Sequence, residues 1–265
     1  MTLRIAWFAT AKGQSSRKLL NAALDAIGAG ELDAEIVCVV CNREPGQSAN
    51  TDAFLNDAKQ AGIPLIAESS RNWRKSVGGE ISDPVRGLAA WRRDFDQRLY
   101  QQIIEFSPDV AMLAGYMMVI TDVICDHLPC LNLHPALPDG PIGTWQQVIH
   151  QLIAQQAESS GMVLQRVTTE LDRGPTVTWA QYPIRGRGFD ELWAEHGSDA
   201  KLETPLFHSI REAGASREPT FILQSLRAIA SGQTPLDAET LSDGEIGVGS
   251  DLTAAVEAEV LRQRP

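Results

Sequence analysis

Residues 3–30 read LRIAWFATAKGQSSRKLLNAALDAIGAG and decide the fold. The apolar run Leu3 to Phe8 is short and unbroken, which predicts a buried first strand. A set of apolar residues at helical spacing follows, and Ser15 or Ser16 is expected to cap that helix. The set consists of Leu19, Leu20, Ala23, Leu24 and Ile27. A buried strand that leads directly into an amphipathic helix is the repeating unit of an α/β fold.

The same alternation continues along the chain. Further strands are predicted at Ile36–Val40, Pro64–Ala67, Val110–Ala114, Cys130–His134, Met162–Val167 and Thr176–Tyr182. Helices are predicted at Asp52–Ala61, Trp91–Phe106 and Trp145–Gln156, and near 204–213 and 218–231. This order predicts an α/β protein with a doubly wound, mostly parallel, Rossmann-like sheet. Such sheets bind ligands at the carboxyl ends of their strands, which directs attention to the segments near 9–16, 41–47, 115–120, 134–143 and 168–175.

Three segments depart from this alternation. Residues 69–87 and 185–203 are polar or rich in glycine, and both are predicted to be loops or insertions. From Gly232 onward the composition turns acidic. We therefore expect a catalytic domain over 1–232 and an acidic C-terminal tail over 233–265. The tail is either a short docked helix over Leu252–Leu261 or partly disordered.

Composition and charge narrow the class of protein. The 265 residues carry a net charge of −11, which argues against general nucleic-acid binding, since phosphate contacts need clustered Lys and Arg. The sequence has no apolar run of about 18 residues, so no membrane span is predicted. Its first residues lack the pattern of a signal peptide, and a cytoplasmic protein is expected. The oligomeric state is left open, with a homodimer as one option.

The chain has four cysteines, and two of them form a C-x-x-C pattern at Cys38 and Cys41. Both lie in an apolar, β-branched run that predicts a strand, where residues three apart point to opposite faces. A structural role is therefore favoured over a redox pair. No cysteine or histidine spacing matches a metal site, and no metal is predicted.

The loop after the first strand, Lys12-Gly13-Gln14-Ser15-Ser16, leads into a helix. Free backbone N–H groups and the positive end of the helix dipole bind anions at such a place. The alternative is an ordinary strand-to-helix turn with a serine cap. The loop matches neither the dinucleotide-binding pattern nor the P-loop pattern.

Two further polar groups stand near predicted strand ends. A period of two places Asn132 and His134 on one face of a strand, immediately before Pro135. An amide and an imidazole side by side can stabilise a developing oxyanion and move a proton, although the pair also suits an ordinary strand end. Asp172 lies in the turn Asp172-Arg173-Gly174-Pro175, where acidic residues commonly serve turn geometry. If it meets His134, it favours the charged imidazolium and fixes its orientation.

The segments NLHPALP (132–138) and ELDRGP (170–175) together resemble the formyltransferase family that uses 10-formyltetrahydrofolate. Residues 113–120, LAGYMMVI, are similar to that family's loop around the folate pterin. The similarity covers about residues 3–232 and is strongest over 110–183. Within the family it is greatest to the members that formylate glycinamide ribonucleotide in purine biosynthesis.

The resemblance assigns roles to named residues. It implies that Asn132, His134 and Asp172 are catalytic and that Gly13, Gln14, Ser15 and Ser16 hold the substrate phosphate. It implies that Glu218 lies near the substrate's ribose and amine. The residues expected to surround the folate are Tyr116, Met117, Met118, Val119, Ile120, Thr168, Glu170 and Leu171. The implied partners are a small-molecule acceptor and the folate co-substrate, with no metal.

The sequence also departs from the family pattern. Gln14 and Ser16 replace a glycine and an asparagine of the usual phosphate loop, and Met118 replaces an arginine of the pterin loop. Another acceptor, such as an amino sugar nucleotide, therefore stays open, as does formyltetrahydrofolate hydrolysis. A methionyl-tRNA formyltransferase is disfavoured, because its C-terminal barrel and basic surfaces have no match here. A non-catalytic folate or nucleotide binder is the alternative outside the enzyme class.

Overall fold

The computed structural model describes residues 2–82, 87–170, 174–186, 188–196, 203–236 and 249–263. The described strands are β1 (Leu3–Ala9), β2 (Ala34–Cys41), β3 (Leu65–Ala67), β4 (Val110–Leu113), β5 (Cys130–His134), β6 (Ser159–Arg166), β7 (Thr176–Pro183) and β8 (Ser250–Asp251). The described helices are α1 (Gln14–Gly28), α2 (Ala49–Gln60), α3 (Ser70–Ser76), α4 (Trp91–Ile103), α5 (Asp122–Cys125), α6 (Trp145–Ala154), α7 (Asp190–Glu195), α8 (Pro205–Ala215), α9 (Glu218–Ala230) and α10 (Thr253–Arg262). A 3₁₀ turn over Ile104–Phe106 extends α4.

The chain divides into two compact units. The first comprises Met1–Asn132 and Val167–Arg173, and the second comprises Leu133–Arg166 and Gly174–Pro265. The first unit contains the strand order β3-β2-β1-β4-β5, with all neighbours parallel. The chain moves from β1 outward to β3 and then returns to the other side of β1 at β4. The strand order thus reverses between β1 and β4, where doubly wound sheets bind ligands.

Helices cover both faces of the sheet in the first unit. Ala6 and Phe8 belong to one buried cluster with Phe95 and Leu99 of α4. The pleat turns Trp7 to the opposite face, where it is fully buried. Helices α1 and α2 pack against β2 and β3. The predicted doubly wound, mostly parallel α/β fold is confirmed.

The second unit is built around a hairpin. Strands β6 and β7 are antiparallel, and β8 adds to β7 in parallel. Helices α8 and α9 pack on β6, and α10 packs on β7 and α9. Of the two alternatives for the tail, its described part shows the docked helix. The division into 1–232 and 233–265 stays a prediction.

The two polar segments contain helices that the sequence did not predict. Helix α3 lies within 69–87 and is capped by Ser69, whose side chain accepts a hydrogen bond from Asn72 N. Helix α7 lies within 185–203 and buries Trp193, whose indole N–H donates to Ile184 O at 2.6 Å. Their expectation as loops was wrong over these residues, because each helix is short and depends on a cap or one buried ring.

The C-x-x-C pair lies within β2, and Cys38 and Cys41 are both buried free thiols. Burial raises the pKa of Cys38 to about 12 and that of Cys41 to about 11, so both stay protonated. Among the described residues, no cluster of three potential metal ligands occurs. No helix in the described ranges has the length and apolar character that crossing a bilayer requires.

Candidate active site

The loops that follow β1 and β4 lie against each other in the first unit. Thr10 N donates to Gly115 O at 3.1 Å, and Met117 N donates to the Thr10 hydroxyl at 2.7 Å. The predicted phosphate loop and the predicted pterin segment are therefore neighbours at the point where the strand order reverses. This is the place where the fold predicts a ligand site.

The phosphate loop enters α1 without a side-chain cap. Gly13 is the N-cap residue and α1 begins at Gln14, so the predicted capping role of Ser15 or Ser16 was wrong. Gln14 and Ser15 are exposed in the first turn, where backbone N–H groups have no intrahelical acceptor. This uncapped start retains the features that bind an anion.

The two cationic residues nearest this loop differ in whether they already have an acidic partner. Arg17 forms an ion pair with Asp57 on α2 at 2.5 Å, and Asn21 donates to the same carboxylate at 2.9 Å. Lys12 is exposed, and its carbonyl accepts a hydrogen bond from Asn50 Nδ2 at 2.9 Å. The guanidinium of Arg17 thus ties α1 to α2, whereas the ammonium of Lys12 is on the loop itself.

Two backbone positions in these loops have left-handed conformations. Gly115 has φ +78°, and a Cβ there would stand 2.8 Å from Ser16 Oγ. Ala11 has φ 50° and is fully buried, and its carbonyl accepts from the Thr51 hydroxyl at 3.1 Å. Such a conformation costs a non-glycine residue roughly 1–2 kcal/mol. Glycine at 115 allows the β4 loop to approach Ser16.

The predicted pterin segment presents a mixed surface. Tyr116 and Ile120 are buried, and the Tyr116 ring packs edge-on against Phe8 at 5.3 Å between centroids. Met117 is 70% exposed, and Met118 and Val119 are half-buried. The ends of the segment are anchored in the core, and an apolar stretch between them is left accessible.

Sequence reasoning missed two buried residues beneath this segment. The Arg92 guanidinium donates to Val119 O, and Asp96 Oδ2 accepts from Thr121 N at 2.7 Å. A signal existed, because Arg92 and Asp96 share the helical stripe of Phe95 and Leu99 and so had to face the core. A charged pair on an apolar helix face indicates partners elsewhere in the fold.

The segment after β6 is described as far as residue 170. Val167 N donates to Cys130 O at 2.8 Å, which places this segment beside the start of β5. Thr168 and Glu170 close a local turn, in which the Thr168 hydroxyl donates to Glu170 O at 3.2 Å. Leu171 and Asp172 lie outside the described residues, so the expected pairing of Asp172 with His134 stays a prediction.

His134 ends β5 as a buried side chain with a defined ring orientation. Its Nε2 lies 2.9 Å from Pro141 O, and a carbonyl oxygen only accepts, so Nε2 carries a proton. Asn132, two residues earlier on β5, is half-buried. The strand therefore carries an amide, and then an imidazole whose other nitrogen, Nδ1, becomes a second donor only in the charged ring.

Glu218, which was expected to contact the substrate, is the first residue of α9 in the second unit. Its carboxylate pairs with Arg211 at 2.6 Å, and the Arg211 guanidinium lies 4.9 Å from the centre of the Trp145 ring. Its side chain is only 10% exposed. The carboxylate already has a cationic partner, and its role toward a substrate stays a prediction.

Comparison with known proteins adds a family match. The formyl transferase family model matches residues 3–190. Phosphoribosylglycinamide formyltransferase of Escherichia coli is 29% identical over 184 residues, which cover 66% of this chain and 73% of that protein. The Saccharomyces cerevisiae protein of the same name is 30% identical over 193 residues, with 69% and 86% covered. The crystal structure of glycinamide ribonucleotide transformylase 1 from Symbiobacterium toebii superposes with a TM-score of 0.62 at 19% identity, over 87% of this chain and 89% of that one, which shows a shared fold.

Proposed function

This chain belongs to the formyl transferase family and is a formyltransferase, and we propose that it formylates the amine of glycinamide ribonucleotide in purine biosynthesis. The formyl donor is 10-formyltetrahydrofolate. The names of the relatives support the acceptor, and the uncapped start of α1 supports an acceptor that carries a phosphate.

The donor site is proposed along the segment from Tyr116 to Ile120. Its partly accessible apolar residues suit the face of a pterin ring, and its backbone is held by buried partners on α4. Thr168, Glu170 and Leu171 complete this site in the proposal. Met118, where the family has an arginine, supplies apolar surface instead of charge.

The acceptor site is proposed at Gly13–Ser16. Gly13 leaves the loop without a side chain at the helix start, and Lys12 adds a positive charge beside it. A phosphate there accepts hydrogen bonds from backbone N–H groups and gains from the helix dipole. Glu218 is proposed near the ribose and amine of the same acceptor.

The reaction moves one formyl group between two nitrogens. The acceptor amine attacks the formyl carbon, a new C–N bond forms, and the carbonyl oxygen becomes an oxyanion. The bond to N10 of the folate then breaks, and the proton lost by the amine ends on that nitrogen. Asn132 and His134 donate hydrogen bonds to the oxyanion, and Asp172 keeps the ring of His134 charged and oriented.

The observation that carries this mechanism is the position of the His134 ring at the end of β5. Because Nε2–H is committed to Pro141 O, the ring can give a second hydrogen bond only through Nδ1 of the imidazolium. A carboxylate such as Asp172 favours that charged form. We therefore propose that His134 acts together with a carboxylate rather than alone.

We also propose domain boundaries, a cellular location and partners for the enzyme. The catalytic residues lie within 1–232, and the segment 233–265 is an accessory tail. The enzyme acts in the cytoplasm on small molecules, without nucleic acid or metal, and a homodimer is compatible with this proposal.

The test is a steady-state assay with 10-formyltetrahydrofolate and glycinamide ribonucleotide, followed by the absorbance of the folate product. His134→Ala is expected to lower kcat about 100- to 1000-fold, the usual loss for one oxyanion donor. His127→Ala is the matched control, since His127 is exposed after α5, and it should retain the wild-type rate.

Three outcomes contradict the proposal. A near-normal rate for His134→Ala removes the mechanism. Turnover with an amino sugar nucleotide but not with glycinamide ribonucleotide changes the acceptor. Tight folate binding without turnover of any amine identifies a binder instead of an enzyme.

A further inference from the structure

We propose that Arg92 and Asp96 of α4 are positioning residues that shape the formyl-donor site by fixing the backbone of residues 116–121. This inference rests on the proposed function, which puts the folate along that segment. Neither residue lies within the segment, and both act through its backbone. Their effect should fall on the donor rather than on the acceptor.

The side chains of Arg92 and Asp96 form hydrogen bonds with the backbone of the second half of the segment. The Arg92 guanidinium donates to Val119 O, and Asp96 Oδ2 accepts from Thr121 N at 2.7 Å. Arg92 and Asp96 are 5% and 0% exposed, and they stand one helical turn apart. The two bonds thus fix one acceptor and one donor of the segment, two residues apart, from a single rigid helix.

The first half of the segment is held by residues of β1 and of the loop that follows it. The Thr10 hydroxyl accepts a hydrogen bond from Met117 N at 2.7 Å, and the Tyr116 ring packs against Phe8. Positions 117, 119 and 121 are therefore each held through the backbone. Within this segment the Met117 side chain is 70% exposed, and the half-buried Met118 packs against the core.

Two buried charged residues are unusual on the core-facing side of a helix. Apolar residues at 92 and 96 would fill the same stripe without the expense of burying two charges. Burial raises the pKa of Asp96, and the hydrogen bond from Thr121 N and the charge of Arg92 oppose that rise. The stability of the fold does not require Arg92 and Asp96, because apolar residues could replace them. The pair is needed instead to fix the backbone conformation of residues 116–121.

The cluster also contains polar atoms that have no partner among the described residues. These buried atoms include Arg92 Nε and the Tyr116 hydroxyl. The charges of Asp96 and Arg92 both act on the Tyr116 hydroxyl. A buried polar cluster of this kind responds strongly to the loss of one member, since each buried unpaired group is costly.

The test compares Michaelis constants for the two substrates in variants of α4. Asp96→Leu keeps the branched shape of the side chain and removes its acceptor, and it should raise KM for 10-formyltetrahydrofolate at least tenfold. KM for glycinamide ribonucleotide should stay within twofold of the wild-type value. Asp96→Asn keeps an oxygen that accepts from Thr121 N, and it should bring KM for the donor back to within threefold.

Leu99→Ala is the matched control, because Leu99 is buried on the same stripe of α4 and is not hydrogen-bonded to the segment. It should lower the melting temperature while leaving the ratio of the two KM values unchanged. Arg92→Met provides a second variant if Asp96→Leu does not fold, and it should also raise KM for the donor selectively.

Two results overturn the proposal. One is an unchanged KM for the donor in a folded Asp96→Leu or Arg92→Met variant. The other is an equal rise of both KM values that Leu99→Ala reproduces, which indicates a general structural role. Failure of the proposed function is distinguishable, since wild-type enzyme would then show no transfer from the folate donor to glycinamide ribonucleotide.

Discussion

At the scale of single residues, Gly115 sets how closely the loops after β1 and β4, which we propose bind the ligands, approach each other. Its φ of +78° lies in the left-handed region, and Ser16 Oγ occupies the space a Cβ would need, at 2.8 Å. Ala11 accepts a similar backbone conformation in the loop after β1 without being glycine. The loops are therefore shaped by backbone requirements as much as by side-chain chemistry.

Gly115→Ala should destabilise the protein by about 2–3 kcal/mol, the sum of left-handed strain and a steric clash. Gly30→Ala is the control, since Gly30 has φ +71° and no described atom stands within 4 Å of its added Cβ, so only about 1 kcal/mol is expected. Urea unfolding measures both values. The double variant Gly115→Ala with Ser16→Ala should regain the stability that the steric clash removes. Once Ser16 Oγ is gone, the nearest atom to the added Cβ is Ser16 Cβ, at 3.9 Å. No recovery in the double variant would contradict this explanation.

At the scale of helices and strands, the periodicity of the sequence predicted most elements correctly. The period of two placed Asn132 and His134 on β5, and the apolar stripe of α4 was recognised over Trp91–Phe106. Helices α3 and α7 were missed because seven and six residues give too few turns for a pattern. The hydrogen bonds of Arg92 and Asp96 reach residues 27 and 25 positions away, so the local sequence can indicate that partners exist but cannot identify them.

The Arg17–Asp57 pair ties α1 to α2, and it makes part of the stability depend on pH. The hydrogen bond from Arg17 lowers the pKa of Asp57 below its unfolded value. The contribution of the Arg17–Asp57 pair to the free energy of unfolding is therefore fully present above the pKa of Asp57 in the unfolded chain. It is lost as the pH falls through the pKa of Asp57 in the folded protein. Asp57→Asn should lower the free energy of unfolding by about 1 kcal/mol at pH 7, and this difference should shrink below about pH 4.

Urea unfolding at several pH values measures this difference. Asp25→Asn on the exposed side of α1 is the control and should show little difference at any pH. A destabilisation by Asp57→Asn that stays constant down to pH 3 would show that packing, rather than charge, makes the contribution.

At the scale of the whole molecule, the chain adds an acidic segment after α9 whose described part belongs to the second unit. Helix α10 buries Val256 and Val260, and Glu257 pairs with Arg217 at 2.5 Å. Leu252 N donates to Trp179 O at 2.8 Å, which joins this segment to β7. The segment is thus part of the folded second unit over these residues, although its composition alone also suited disorder.

Val256→Asp should destabilise the second unit by at least about 2 kcal/mol, because it buries an unpaired carboxylate. Ala258→Asp, on the exposed side of α10, should change stability by less than about 0.5 kcal/mol. Thermal unfolding measured by circular dichroism separates the two. Equal melting temperatures for Val256→Asp and wild type would show that α10 does not contribute to the stability of the fold.

The most direct measurement follows an isotopically labelled formyl carbon from 10-formyltetrahydrofolate in the presence of wild-type enzyme and glycinamide ribonucleotide. Mass spectrometry identifies where the label goes. We predict that labelled formylglycinamide ribonucleotide and tetrahydrofolate form in equal amounts, and that neither forms without the acceptor. Release of the label as free formate, or no transfer to glycinamide ribonucleotide at saturating concentrations, would contradict it.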